Sequence, residues 1–252
     1  MFRNLRIKWK LAALVAIMLV ALLVVGTAGY RGIATVGDSV DEIGVVRLPS
    51  IQGLLGISEG QTAVAAATLY AAIYENNYQA HDKFAEVQAL RQRAWANIDR
   101  GWKLYEPLPQ TPEETVLWKQ FSAEWTAWKA ADDRIGTVVG SLAANRDEAA
   151  QKELFAGFYQ QYNASRPLFQ KAEATLLKIV HLNEGIASTS VEQGRAAVVE
   201  AESAMVIAAL VAALMEGAAA AASLENQAAR LAQVVSVFRL DAVAPARARL
   251  AY

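Results

Sequence analysis

No cysteine occurs among the 252 residues. Disulfides, thiolate metal sites and covalently attached c-type haem, which needs C-x-x-C-H, are thereby excluded. Histidine is almost as scarce. The two present, His81 and His181, fall on different helical stretches with no carboxylate at metal-ligand spacing, so no metal site is expected. The sequence also has no G-x-S-x-G, no phosphate-cradling glycine loop and no H-E-x-x-H pair, so we expect no enzyme, no catalytic residue and no cofactor. Non-covalent haem, held by His or Met inside a helical bundle, is the one cofactor reading left open. An excess of either charge is missing too. With 24 basic residues interspersed among 25 acidic ones, the net charge is −1 and no electropositive field gathers phosphates. No nucleic-acid partner is expected.

What is present is apolar and helical. Hydrophobic residues make up 54% of the chain, dominated by Ala, Leu and Val, while alternating β-branched runs bounded by turn residues are hard to find. The fold class expected is all-α. From Leu11 to Tyr30 there are 20 residues without a charge. At ~1.5 Å per residue they match the ~30 Å hydrocarbon core of a bilayer. A cleaved secretory signal is the alternative, but its apolar core runs to only ~7–15 residues and no A-x-A site precedes Tyr30. Arg3, Arg6, Lys8 and Lys10 precede the span, whereas Arg31 and then Asp38, Asp41 and Glu42 follow it. The positive-inside rule then makes 1–10 a cytoplasmic basic segment, 11–30 a transmembrane helix, and the rest exported. In a bacterium this means an inner-membrane anchor with the following domain in the periplasm.

Turn signals at Glu75-Asn76-Asn77, Glu106 to Pro112 and Ala144 to Asp147 divide the chain after Tyr30 into helical stretches 31–75, 79–105, 112–145 and 148–202. Short loops make neighbours antiparallel, so 31–202 reads as a four-helix bundle. Thr111 is the expected N-cap of the third stretch, with Pro112 in its first turn and Glu113 and Glu114 facing the helix dipole. Trp95 and Trp102 lie seven residues apart, as do Trp118 and Trp125, with Trp128 beside Trp125. Such spacing serves core packing more readily than an aromatic ligand box. The outer stretches are much longer than the inner two, so 31–48 and about 176–202 are expected to form a two-helix stalk. Pro49, which lacks a backbone donor, is expected to kink the first stretch at that junction.

A transmembrane helix leading into a periplasmic helical bundle, with Leu48-Pro49-Ser50-Ile51 opening an Ala-rich helix, resembles the sensor architecture of methyl-accepting chemotaxis proteins. Residues 213–240, ALMEGAAAAASLENQAARLAQVVSVFRL, are similar to the closing part of that family's cytoplasmic hairpin. The matching residues are Glu216, Ala218 to Ala222, Ser223, Leu224, Gln227, Ala228, Leu231, Val235, Phe238 and Leu240. The resemblance implies a homodimeric chemotaxis transducer that detects a small molecule or a binding protein in the periplasm. It also implies a linker of the HAMP type and a hairpin whose tip holds a histidine kinase and its coupling protein.

The sequence departs from that plan after Glu202. Only 13 uncharged residues, SAMVIAALVAALM, separate Glu202 from Glu216, and ~20 Å of helix falls short of a bilayer core. We therefore expect 203–224 to be a marginal or remnant second span and 225–252 a remnant of the hairpin and tail. The receptor would be internally truncated, unable to hold the kinase and its coupling protein, and defective in signalling. Glu216, now followed by Gly217, is a doubtful remnant of the family's methylated acidic pair. No Lys or Arg lies between Ser50 and Glu75, so an arginine clamp for carboxylates on the first sensor helix is absent. Gln61, Thr68 and Glu75 recur every seven residues and are the weak ligand-binding candidates, lining a dimer-interface pocket or forming a solvated or helix-contacting polar stripe. The alternatives to a transducer are an inert or structural membrane-anchored bundle, or the sensor of another two-component receptor.

Overall fold

The computed structural model describes residues 7–237; Arg3 and Arg6 of the basic segment, and the Phe238 and Leu240 end of the resemblance, lie outside the described residues. Within them there is no strand. Helix α1 (Ile7–Asp41) passes through a π-helical turn (Glu42–Arg47) into α2 (Leu48–Tyr70), which ends in a 3₁₀ turn (Ala71–Tyr74). Helices α3 (His81–Tyr105), α4 (Pro112–Ala144) and α5 (Glu148–Val237) follow. The three breaks fall where the turn residues place them. Thr111 caps α4 as expected, in a capping box: its side chain accepts from the Glu114 N–H, and Glu114 Oε2 accepts from the Thr111 N–H, both at 3.2 Å.

Thr35–Ala196 form one compact unit. In it α2, α3, α4 and α5 pack antiparallel: Gly53 meets Gly101 and Gly60 meets Ala94, Trp95 meets Trp125 and Trp102 meets Trp118, Glu124 meets Thr175 and Arg134 meets Gln161, so numbers rise on one helix as they fall on its neighbour. Two core clusters fill the bundle. One is built on Leu54, Ile57, Ile98, Phe121 and Leu176, the other on Phe84, Ile135, Leu142, Phe155 and Phe158. Trp118, Trp125 and Trp128 are buried in the first, with Trp95 and Trp102 partly buried against it, the core role that their spacing indicates.

Helices α2 and α3 approach closely through glycine. A Cβ on Gly101 would lie 2.6 Å from the Gly53 carbonyl oxygen and 2.9 Å from the Ile57 nitrogen, and one on Gly60 would lie 3.1 Å from the Ala94 oxygen. Real side chains do not fit there, so these positions require glycine.

Two expectations need correction. The disturbance near Pro49 lies in the turn before it: the Leu48 N–H donates to the Ile43 carbonyl five residues back, which inserts one extra residue into the helix. Residues 176–183 and Arg47 belong to the bundle and not to a stalk. Leu176, Ile179 and Val180 are core, while Asn183 and Arg47 are drawn inward by Glu114 at the start of α4. Beyond Asn183, α1 and α5 still pack, with a Cβ on Gly194 reaching 3.5 Å from Ser39 Cβ.

The described residues up to Ala34 and from Ala197 form the other unit. Two helical runs, the first from Ala12 and the second within α5, are long and apolar enough to cross a membrane by length and composition, with mean hydropathy 2.5 and 2.0. Their large apolar side chains, such as Leu22, Leu23, Ile207, Leu210 and Leu214, are mostly exposed. Helix α5 continues without a break past Glu216 to Val237.

Candidate functional site

A fully buried carboxylate ties four elements together at the end of the bundle where α2 and α4 begin and α3 stops. Glu114 has no exposure, and neither do Tyr105 and Asn183. Glu114 Oε2 accepts from Arg47 Nη1 at 2.7 Å, while Oε1 accepts from Asn183 Nδ2 at 2.7 Å and from the Tyr105 hydroxyl at 2.9 Å. Arg47 also donates to Asn183 Oδ1 at 2.9 Å and, through Nε, to Glu42 Oε1 at 2.7 Å. Burial opposes the charge on Glu114. Donors from Asn183, Arg47, the Thr111 backbone and Tyr105 outweigh it and hold the carboxyl below its ordinary range. Burial, reinforced by the Glu114 anion, pushes the Tyr105 phenol well above its usual value. Arg47, Tyr105, Glu114 and Asn183 pair with one another across four elements, and this fixes helix register.

The second polar cluster borders a cavity of about 210 Å³ between α2, α4 and α5. Asp132 on α4 lies in its wall, 3% exposed, and Arg91 from α3 forks onto it, Nη2 to Oδ2 at 2.6 Å and Nη1 to Oδ1 at 3.1 Å. Arg91 Nη1 also donates to the Thr68 hydroxyl. Burial nevertheless holds the Asp132 carboxyl above its ordinary range, because Arg91 offsets the lost hydration only in part. Trp128, Tyr162 and Phe169 supply aromatic walls, and Arg166, Gln170 and Glu173 lie along one face of α5.

The three polar residues spaced by seven have different surroundings. Thr68 lines the cavity and is buried. Gln61, 1% exposed, points between helices, donating to the Phe169 carbonyl at 3.3 Å while its Oε1 has no partner. Glu75 sits at the far end, where Oε2 accepts from the Tyr159 hydroxyl at 2.7 Å. Only Thr68 therefore borders the cavity, and the arginine beside it comes from α3. Glu216 lies exposed on α5 among alanines. His181 is exposed and contacts Glu184 at 3.0 Å, whereas the buried Nδ1 of His81 has no partner.

An antiparallel helical bundle with a small polar cavity, in a chain that also carries two helical runs long and apolar enough to cross a membrane, has the architecture expected of a helical sensory module. A family model described as a four helix bundle sensory module for signal transduction matches residues 4–198, and the chain belongs to that family. Comparisons with curated proteins and with solved structures gave no match.

Proposed function

We propose that this chain is the membrane-anchored sensor of a chemotaxis transducer of the methyl-accepting type, with its N-terminus in the cytoplasm and its bundle in the periplasm of a bacterium. The observation that carries this reading is the sensory bundle, residues 4–198, overlapping an apolar run near the N-terminus and preceding a second one in α5. Such a domain detects a small molecule or a binding protein. The similarity of 213–240 to the end of a signalling hairpin, following directly on the apolar run, leaves no linker between them. On this reading the chain holds neither the kinase nor its coupling protein, and ligand binding has no output element to bias.

A homodimer is supported by an apolar stripe. Val40, Leu48, Leu55 and Leu69 are 61%, 61%, 47% and 44% exposed. The interval from Val40 to Leu48 is eight residues instead of seven, and the π-helical turn between them absorbs the extra residue, which keeps both on one face. Because the native chain has no cysteine, Leu55→Cys is a clean reporter. Oxidation of the membrane-embedded protein should give a cross-linked dimer, and a reporter enzyme placed in the 106–111 loop should be active only outside the cytoplasm. A cytoplasmic loop, or a strictly monomeric chain, would count against this proposal.

A further inference from the structure

We propose that the cavity between α2, α4 and α5 is a binding site for a small organic cation carrying N–H donors, a primary ammonium or an amidinium, whose charged head faces inward. This rests on the reading of the bundle as a small-molecule sensor and assigns the chemical class of what it senses.

The balance of donors and acceptors around the cavity decides the charge it prefers. Three polar side chains of the lining are buried: Thr68, Asp132 and Ser165. The Thr68 hydroxyl donates to the Val64 carbonyl at 2.8 Å, and the Ser165 hydroxyl donates to the Tyr162 carbonyl at 2.8 Å. Their hydrogens are thus committed to backbone; the Thr68 oxygen also accepts from Arg91, which leaves it one lone pair for the cavity, while Ser165 keeps both. Asp132 is an acceptor whose two oxygens have Arg91 on one side. Its carboxyl remains under-compensated for burial, so a further donor from the cavity would be favourable. Glu173, half-buried in the same wall, forms no ion pair among the described residues.

Aromatic rings complete the preference. Trp128, Tyr162 and Phe169 line the cavity, and ring faces attract cations. The lining's charged or amide donors, Arg166 and Gln170, are both exposed. A carboxylate ligand placed inside would face Asp132 and Glu173 and find those donors only at the mouth. An ammonium placed inside meets acceptors and rings. At ~30 Å³ per water, about 210 Å³ is room for roughly seven waters, so the ligand is correspondingly small.

The test uses the full chain in detergent or nanodiscs, titrated with butylammonium chloride, sodium butyrate and butan-1-ol at constant ionic strength. Tryptophan fluorescence and thermal unfolding are followed, since Trp128 borders the site. Butylammonium should raise the Tm and shift the emission saturably, and neither butyrate nor butanol should match it. Glu173→Gln, confirmed helical by circular dichroism, should weaken the amine by about tenfold, whereas Arg166→Gln should leave it bound as tightly or more tightly. Butyrate binding as well as butylammonium, unchanged amine affinity in Glu173→Gln, or no saturable response to the amine would each overturn the proposal. The sensor reading would survive any of these, because it is tested separately by loop location and dimer cross-linking.

Discussion

Arg47 Nη1 lies 2.7 Å from Glu114 Oε2 with both side chains shut off from solvent, joining the turn before α2 to the first turn of α4. A buried ion pair is weak evidence for stability as a whole, but breaking one side of it leaves a charge without compensation. Arg47→Met should therefore destabilise the protein by about 3–5 kcal/mol. Glu114 also closes the α4 capping box, so Arg47→Met with Glu114→Leu should recover only part of that loss. Urea unfolding of the full chain, followed by tryptophan emission, measures both. A single variant as stable as the parent would show that the pair does not hold the base of the bundle.

The same carboxylate should shape the acid response. Donors hold the folded Glu114 pKa below the unfolded value, so its stabilising contribution is complete above the unfolded value and disappears as pH falls through the folded one. Asp132 acts in reverse. Its folded pKa is raised, so it favours the fold below the unfolded value and loses that advantage as pH rises through the folded one. Tm should fall with acid below about pH 5 in the parent. Glu114→Gln should flatten the fall, whereas Asp132→Asn should steepen it. Parallel Tm–pH curves for the parent and both variants would contradict these assignments.

Glycine at the α2–α3 contact gives a prediction with its own control. A methyl at Gly101 would meet the Gly53 oxygen and the Ile57 nitrogen, both backbone atoms that cannot move aside. Gly101→Ala should cost about 1–3 kcal/mol, the usual penalty for overpacking. Gly157 on α5 has nothing within 4 Å of an added Cβ, so Gly157→Ala should stabilise by up to ~1 kcal/mol through helix propensity alone. Opposite shifts of the urea midpoint are expected. Equal shifts of one sign would mean that the close approach is not what Gly101 provides.

The helices were legible because Asn76-Asn77, the Pro107 to Pro112 stretch and Asn145 punctuate an otherwise unbroken apolar periodicity. Gln61 and Thr68 stood out by their spacing, but the buried charges did not, although the same periodicity holds their trace. On α3 the buried positions are Phe84, Val87, Arg91, Ala94, Ile98, Gly101 and Tyr105, alternating by threes and fours. Arg91 stands where that pattern calls for an apolar residue. Glu114 and Asp132 occupy such positions among Trp118, Phe121, Trp125, Trp128 and Ile135 on α4. A charge at a core register was the available signal. Which partner satisfies it depends on how the helices align in space, and one helix's periodicity does not contain that. The π-helical turn escaped for a related reason: Pro49 marks a missing donor, but the eight-residue interval from Val40 to Leu48 becomes meaningful only once both are seen exposed.

In the second apolar run, opposing contributions to membrane insertion nearly balance. Residues 203–224 hold a single charged side chain, Glu216, on a helix that continues unbroken through it. A carboxylate at mid-membrane is unfavourable by about 3 kcal/mol on insertion scales, with Asp as the guide. Val206, Ile207, Leu210, Val211 and Leu214 each contribute ~0.3–0.6 kcal/mol in the other direction, and alanine contributes little. The sum lies close to zero, so a reporter fused after Tyr252 should divide between the two sides of the membrane. Glu216→Leu removes the unfavourable contribution and should move the reporter to the cytoplasmic side. Glu216→Lys should move it the other way. If neither substitution alters the distribution, insertion of this run is not governed by the charge at Glu216, and the second crossing must be decided elsewhere in α5.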